Sequence, residues 1–367
     1  MAEVSIAAPE LGEAEREGVL DVLDSGMLVA GEVVEQFESE FADYCDTDHA
    51  VGTSNGTTAL HAALEAVGVE PGDLVVTTPF SFVATANAIR FAGGAPLFAD
   101  VDEETFNLDP ESVERTIEAA EGSVAAIVPV HLYGLPAEMD RLREIADEHD
   151  AALVADAAQA HGAEYRGSRV GSLADAATFS FYPTKNMTTG EGGMVTTDDP
   201  AIEAELRRFT NHGRPTDGDA YDHVQLGHNF RMTNIAGAIG RAQLEKLPEF
   251  VEARRRNAER LDAALADAPV TTPVEPDGTR HAYHQYTVRT DDREALRERL
   301  ADHGVGSAVY YPRPIPEMKA YEYTSTSVPV AERLSEEVLS LPVHPGLDEA
   351  DVAQIAGAFE RQEVSGV

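Results

Sequence analysis

Basic charge is what this chain has least of: 27 Lys and Arg stand against 66 Asp and Glu in 367 residues, a formal net charge of −39. Such a surface repels a phosphate backbone, which excludes nucleic acid as a partner. The acids are spread along the whole chain and not gathered in a tail, so they read as a solvated coat. Screening within about 3 Å at 1 M salt would quiet their mutual repulsion, and a halophilic source is expected. A single cysteine, Cys45, excludes an internal disulfide and leaves no cysteine metal cluster, so no metal site is expected and a reducing cytoplasm fits. No run approaches the ~18 apolar residues of a membrane span. The opening Met-Ala-Glu-Val-Ser-Ile lacks the basic and apolar blocks of a signal peptide. A soluble, cytoplasmic protein is the expectation, with no membrane partner. Internal repeats and low-complexity tracts are absent as well.

The hydrophobic share, 43%, suits a globular chain, and the length suits two domains. Leu11 to Leu23 and Val33 to Tyr44 carry apolar residues at helical spacing, so residues 1–50 read as almost wholly helical. From there the pattern alternates. Strands are expected at Leu74–Thr77, Pro96–Phe98, Ala125–Val130 and Ala152–Ala155, with helices at Ala84–Phe91, Pro110–Ala119 and Pro136–His149 between them. Repeated strand–helix units predict a mostly parallel sheet covered on both faces, with ligands beyond the C-terminal ends of its strands. A helix at Pro200–Phe209 and a long irregular stretch, Asn211 to Asn229, follow. Helices at Ile235–Leu247 and, beyond Pro248, to Ala266 come next. Composition shifts near residue 270. Strands at Tyr283–Thr290 and Val305–Tyr310 and helices at Arg293–His303, Ala331–Ser340 and Asp348–Gln362 predict a smaller α/β domain, giving a division into residues 1–245 and 246–367.

Lysine is scarce even among the few basic residues: three (Lys185, Lys246 and Lys319) in the 27. Lys185 lies in Phe179-Ser-Phe-Tyr-Pro-Thr-Lys-Asn-Met-Thr-Thr-Gly-Glu-Gly-Gly-Met-Val195, between a strand expected at Ala176–Phe181 and one at Gly193–Thr197. An amine on a short loop between two sheet strands has a rigid base. Lysine, unlike arginine, can lose its proton and condense with an aldehyde, the chemistry of a Schiff base to pyridoxal phosphate (PLP). Most lysines are solvated charges, so this residue needs support from elsewhere. Asp156, at the end of an apolar strand, would be partly buried and would need a positive or donating partner. A protonated pyridine nitrogen would supply one.

Val51-Gly-Thr-Ser-Asn-Gly-Thr-Thr-Ala-Leu60 reads as a Gly-rich turn opening a helix. Its free N–H groups and the Thr57 and Thr58 hydroxyls make either a phosphate cradle or simply a capped helix. The same residues spell Gly52-x-Ser54-x-Gly56, the nucleophile-elbow pattern of serine hydrolases. It is discounted because an elbow serine needs several strands before it. The sequons at Asn55 and Asn186 are discounted because nothing points to export.

Four segments in fixed order carry a resemblance: Thr53-Ser-Asn-Gly-Thr-Thr-Ala-Leu60, Asp156-Ala-Ala-Gln-Ala-His161, Ser180-Phe-Tyr-Pro-Thr-Lys185 with Glu191-Gly-Gly193, and Gly227-His-Asn-Phe-Arg-Met232. Together with Thr78-Pro-Phe-Ser-Phe82-Val-Ala-Thr85, Val130-His-Leu-Tyr-Gly134 and Tyr310-Tyr-Pro-Arg-Pro, they closely resemble the DegT/DnrJ/EryC1/StrS family of sugar aminotransferases over nearly the entire chain. The resemblance implies an α/β fold of the fold-type-I PLP-dependent transferases: a large domain with a central mixed, mostly parallel sheet flanked by helices, plus a smaller C-terminal α/β domain. It implies a homodimer with shared active sites. Carried over by position, Lys185 forms the Schiff base and Asp156 pairs with the pyridine nitrogen. Gln159 lies near the ring hydroxyl and Phe82 stacks on the ring. Gly56, Thr57 and Ser180 hold the phosphate, and Asn229 reaches it from the other subunit. The implied activity is transfer of an amino group, from L-glutamate, to a keto carbon of a nucleotide-activated sugar.

Relatives that replace the lysine by histidine remove a hydroxyl instead, and Lys185 argues against that outcome. Relatives often carry a histidine after the Tyr-Tyr-Pro segment, where this chain has Pro314-Ile-Pro316-Glu317. Tyr311, Arg313, Arg231 and His344 are candidates for nucleotide phosphates or a substrate carboxylate, against the plainer reading of surface or interdomain pairing. Rival readings are a PLP-dependent dehydratase or lyase of the same fold, and a non-catalytic regulator built on it.

Overall fold

The computed structural model describes residues 3–215, 221–324 and 326–359. Helices α1 (Glu13–Ser25) and α2 (Glu32–Cys45) lead the chain. Strands β1 (His49–Thr53), β2 (Leu74–Thr77), β3 (Ala95–Phe98), β4 (Val124–Val128) and β5 (Ala152–Asp156) alternate with helices α3 (Gly56–Ala66), α4 (Ala84–Phe91), α5 (Pro110–Ala119) and α6 (Met139–Glu148). A short hairpin follows, β6 (Glu164–Tyr165) with β7 (Ser168–Arg169); then come β8 (Ala176–Ser180), β9 (Gly193–Thr197) and α7 (Pro200–Thr210). Seven strands form one sheet in the order β1-β9-β8-β5-β4-β2-β3. The run from β8 to β3 is parallel throughout, and β9 is antiparallel to both β8 and β1. The sheet is therefore mixed and mostly parallel.

Successive residues on a strand point to opposite faces, and the core shows it. Val76, Ile127 and Leu153 pack with Phe37 and Phe41 of α2 and Leu142 and Ile145 of α6. Their neighbours Val75, Val128 and Val154 pack with Leu60 and Leu64 of α3, Ile89 of α4 and Leu206 of α7. With both faces covered, these strands have no polar side, which is why they read as apolar runs. Proline and aspartate fix helix starts in the same region: Asp109 caps α5 and Asp199 caps α7, each with proline at the first helical position.

Helix α8 (Asn234–Leu265) corrects the expected break at Pro248, since it runs through the proline for 32 residues. An interior proline costs roughly 3 kcal/mol through a lost hydrogen bond and a clash. The buried stripe Leu244, Leu247, Val251, Ala258, Leu261 and Leu265 offsets it, each large apolar side chain contributing about 1.5–3 kcal/mol. The first three of these pack in the sheet's core and the last three in a second core, so a helix and not a flexible linker joins the two.

That second core holds strands β11 (Tyr286–Arg289) and β12 (Val338–Leu341), an antiparallel pair, with helices α9 (Arg293–Asp302) and α11 (Glu349–Gly357). Strand β10 (Thr279–Arg280) instead joins the β6–β7 hairpin. Three expectations shift here. The strand expected from Tyr283 begins three residues later, because Tyr283 itself sits at φ 43, outside extended backbone. The helix expected at Ala331–Ser340 is α10 (Pro329–Glu337), and Val338 to Ser340 belong to β12, whose buried apolar run pairs with β11. The strand expected at Val305–Tyr310 reduces to single bridges, Val305 with Val4 and Ala308 with Ser340. Strand β1 was not expected at all, since His49-Ala-Val-Gly-Thr53 is too short and too poor in branched residues to stand out. The tail of the helix expected at Asp348–Gln362, residues 360–362, lies outside the described residues, as do 216–220 of the irregular stretch. Among the described residues no helix is long and apolar enough to cross a membrane, and no cluster of three or more His, Cys, Asp or Glu is disposed to hold a metal.

Candidate active site

The last residue of β5 is Asp156, 4% exposed. Its Oδ2 accepts from the Thr85 hydroxyl at 2.8 Å, and its Oδ1 accepts from the Ala158 N–H at 3.1 Å. Burial pushes its pKa up; the two donors and the Lys185 charge work against that shift. A buried carboxylate with room for one more cationic or donating partner is the result.

Lys185 sits half-buried on the loop from β8 to β9, its N–H closing a turn on the Tyr182 carbonyl at 2.9 Å. The loop is pinned by its own side chains. Asn186 Nδ2 donates to the Ala282 carbonyl at 2.9 Å, Thr188 Oγ1 to that of Phe181 at 2.8 Å, and Thr189 Oγ1 to that of Glu191 at 2.7 Å. Burial lowers the pKa of Lys185 to about 8, while the Asp156 charge holds it from falling further. Close by, His161 and His284 are buried, and burial followed by the Lys185 charge keeps both imidazoles neutral. Near neutral pH this amine is therefore ready to surrender its proton, as a nucleophile toward an aldehyde requires.

The turn before α3 makes the third component. Asn55 caps the helix: its side chain accepts from the Thr58 N–H at 2.9 Å, while the Thr58 hydroxyl takes the Asn55 N–H at 3.1 Å. Gly56 and Thr57, the first two helical residues, keep N–H groups that no helical carbonyl can reach. Ser180, ending β8, faces them so closely that a methyl on Gly56 would lie 2.6 Å from Ser180 Cβ. A glycine, two free N–H groups, a hydroxyl and the positive end of a helix form a cradle for a phosphate.

Tyr311 faces Asp156, and Gln159 and Phe82 adjoin it. Gln159 Oε1 accepts from the Tyr133 N–H at 2.9 Å, and its Nε2 donates to the Tyr311 hydroxyl at 3.3 Å. Burial, followed by the Asp156 charge, pushes the Tyr311 phenol up, so it stays protonated. Tyr133 is held at φ 57, a left-handed conformation costly for a bulky residue, and its own hydroxyl donates to the Tyr310 carbonyl. Phe82 is 58% exposed, with its ring 6.4 Å from that of Tyr311. An open aromatic face there can take a flat ring.

Other candidates fall farther out. Arg231 bridges by backbone to Thr53, beside the cradle, but its guanidinium donates to Asn211 Oδ1 at 2.7 Å. Asn229 is exposed and bridges Asn211, and Arg313 is exposed on the Tyr311 segment. His344 packs on α8, its carbonyl accepting from Asn257 at 2.9 Å, with its ring kept neutral by burial and then by Arg254. No contact joins it to Asp156 or Tyr311 among the described residues. Ser54 does follow a strand and precede a helix, yet its hydroxyl meets Thr58 Oγ1 at 3.2 Å and no imidazole, so the elbow pattern lacks a base. The sequon residue Asn186 is buried. Sequence reasoning missed the contacts that Thr85 and Tyr133 make here, because each is an ordinary side chain whose partner comes from a distant segment.

An acid, a poised amine and an anion cradle beyond the C-terminal ends of a mostly parallel sheet define the class of the PLP-dependent transferases. The chain belongs to the DegT/DnrJ/EryC1/StrS aminotransferase family, whose pattern it matches over residues 9–360. It is 41% identical over 339 residues, 90% of each chain, to a pleiotropic regulatory protein of Geobacillus stearothermophilus. It is 39% identical over 368 residues, 98% of each chain, to a GDP-perosamine synthase of Caulobacter vibrioides. The crystal structure of a DegT/DnrJ/EryC1/StrS aminotransferase from Brucella abortus superposes with a TM-score of 0.90 at 33% identity, covering 94% of each chain. Pyridoxal phosphate is the cofactor of this family's aminotransferases.

Proposed function

We propose that the chain transfers an amino group from L-glutamate to a keto carbon of a nucleotide-linked sugar, with Lys185 as the catalytic base and acid. The observation that carries the reading is the pairing of a half-buried lysine, its pKa lowered to about 8, with a buried aspartate that it perturbs in turn. The residues present fit PLP: an amine for its aldehyde, a carboxylate for its ring nitrogen and a cradle for its phosphate. When bound, PLP supplies the aldehyde and an electron-withdrawing ring.

The chain's own groups do the rest. Lys185 would hold the aldehyde at rest; once free, its amine would take the proton from the donor's α-carbon as base and return it as acid to the former aldehyde carbon. Asp156 keeps the ring nitrogen protonated. Gln159 orients the ring hydroxyl, Phe82 covers one face, and Gly56, Thr57 and Ser180 grip the phosphate. Asn229 reaches the same phosphate from a second copy of the chain, making a homodimer with two shared sites. Leu11, Leu20, Leu23, Met27, Leu28 and Val29, all exposed on and around α1, support a second copy as the cover of that face. Residues 1–245 act as the cofactor domain and 246–367 as the smaller one. Tyr311 and Arg313, with Arg231 and His344 farther out, are the chain's candidates for sugar and nucleotide. The protein works in the cytoplasm of a halophile.

The regulator reading draws support from the name of the Geobacillus relative. A single experiment separates the readings. Purified protein given PLP gains a visible absorbance band, L-glutamate removes it, and a nucleotide-linked keto sugar restores it with an amino sugar as the product by mass spectrometry. A band untouched by glutamate supports the regulator; ammonia or a dehydrated sugar supports the lyase or dehydratase. A band surviving in Lys185→Ala overturns the assignment itself.

A further inference from the structure

A buried carboxylate at the end of a strand has two oxygens to satisfy, and Asp156 satisfies them unequally. Oδ1 takes the N–H of Ala158, two residues along its own chain. Oδ2 takes a hydroxyl from 71 residues away, that of Thr85 on the first turn of α4. Thr85 is 1% exposed and has one hydroxyl proton to give. Its Oγ1 also lies 3.0 Å from the hydroxyl of Ser81, itself 2% exposed. If Thr85 donates to the aspartate, Ser81 donates to Thr85, and the two form a one-way chain ending on the carboxylate. Such chains strengthen in a low-dielectric interior, because each bond polarises the next.

From this geometry we infer that Thr85, backed by Ser81, is a positioning residue that holds Asp156 in its ionised form and fixed orientation for the cofactor's ring nitrogen. The inference rests on the reading that Asp156 meets that nitrogen. Donation to the charged form of an acid favours that form, and here it opposes a site whose burial favours the neutral one. The ionisable groups around the carboxylate are few. Lys185 faces it from the β8–β9 loop and Tyr311 from the segment before α10. His131, past β4, donates its backbone N–H to the Asp156 carbonyl and stays neutral through burial. Lys185 is itself occupied when the cofactor is bound. The hydroxyl chain, together with the Ala158 N–H, is then the support of the charge that does not depend on the reaction's own state.

Thr85→Val keeps the shape and removes the donor; Thr85→Ser keeps the donor. In Thr85→Val the acid limb of kcat/KM, and the pH at which the absorbance of bound PLP changes on the acid side, move up together by about one to two units, the span of a lost hydrogen bond to a charged group. The sign follows from the carboxylate: without its donor it takes a proton at higher pH, so function is lost sooner as pH falls and recovers as pH rises. Thr85→Ser returns both limbs to the wild-type position, and Ser81→Ala shifts them in the same direction by less. A PLP titration of each apoprotein at pH 8 completes the set, and there Thr85→Val still captures the cofactor through Lys185. If Thr85→Val lowers the melting temperature but leaves both limbs in place, Thr85 is a packing residue and the inference fails. If the variant does not fold, an unmoved limb in Ser81→Ala overturns it. Failure of the wild-type apoprotein to capture PLP at all would instead strike the underlying cofactor reading.

Discussion

A methyl group on Gly56 would lie 2.6 Å from Cβ of Ser180, a separation that real side-chain carbons do not show. The start of α3 and the end of β8 are thus packed backbone against side chain, and a phosphate bound beside that contact would meet both. Gly56→Ala should force the two apart at an overpacking cost of about 1–3 kcal/mol. We expect a lower melting temperature for the apoprotein and PLP affinity weaker by at least tenfold. Adding Ser180→Gly should relieve the clash and restore the melting temperature without restoring affinity, because the hydroxyl is gone. Wild-type affinity in Gly56→Ala, by PLP titration, would show that the phosphate binds elsewhere.

Lys185 makes a second prediction through its proton. With a pKa lowered to about 8 by burial, the amine is charged below that value and neutral above it. Only the neutral amine attacks an aldehyde. The rate at which apoprotein captures PLP should therefore climb with pH and level off above about 8, well short of the ordinary lysine range near 10.4. Stopped-flow absorbance measures it directly. A rate still rising steeply beyond pH 9.5 would mean the amine is an unperturbed surface lysine.

Where sequence and structure agree, the reason is local. β2 and α4 fall on the expected residues because an apolar four-residue run and a small-residue amphipathic turn each specify one answer. Lys185 and Asp156 stood out as candidates because a rare residue type and a strand-terminal acid are conspicuous in one dimension. Thr85 did not: a threonine in Ala-Thr-Ala-Asn looks like any helix residue until β5 is set beside it. Pro248 misled for the opposite reason, since its local signal is strong and only the buried stripe of α8 overrides it. Val338-Leu-Ser-Leu341 continues the apolar pattern of α10, and only its pairing with β11 makes it a strand. Long-range hydrogen bonds and pairings are the part that a linear reading misses.

Glu15 ties α1 to α8. Its side chain is buried, Oε1 accepting from Lys246 Nζ at 2.6 Å and Gln243 Nε2 at 2.7 Å, and Oε2 from the Gly12 N–H at 2.7 Å. Burial works against the charge, but these donors outweigh it and bring the pKa down to about 2. A carboxylate depressed in the folded state stabilises above its unfolded value near 4.5 and loses that contribution as pH falls toward 2. The span corresponds to about 3 kcal/mol. Glu15→Gln should be less stable than wild type at pH 7, by urea unfolding, with the gap narrowing steadily from about pH 4.5 toward pH 2. A gap that does not change over that range would mean the ion pair with Lys246 contributes nothing to folding.

The last prediction weighs two opposing effects of salt. Ion pairs such as Arg241 with Glu40 and Arg143 with Asp175 are partly exposed, contribute roughly 0–1 kcal/mol each, and weaken as salt screens them. Against them stands the self-repulsion of an uncompensated −39. At 0.1 M salt the Debye length is about 10 Å, long enough for neighbouring surface acids to feel one another; at 1 M it is about 3 Å, shorter than most of their separations. The excess of like charge outnumbers the pairs, so its relief decides the sign. The melting temperature should rise between 0.1 M and 2 M KCl, and replacing exposed acids such as Glu17, Asp21 and Asp24 of α1 by neutral amides should reduce that rise. A melting temperature that falls with salt would mean the ion pairs win, and the acidic coat would then need another explanation.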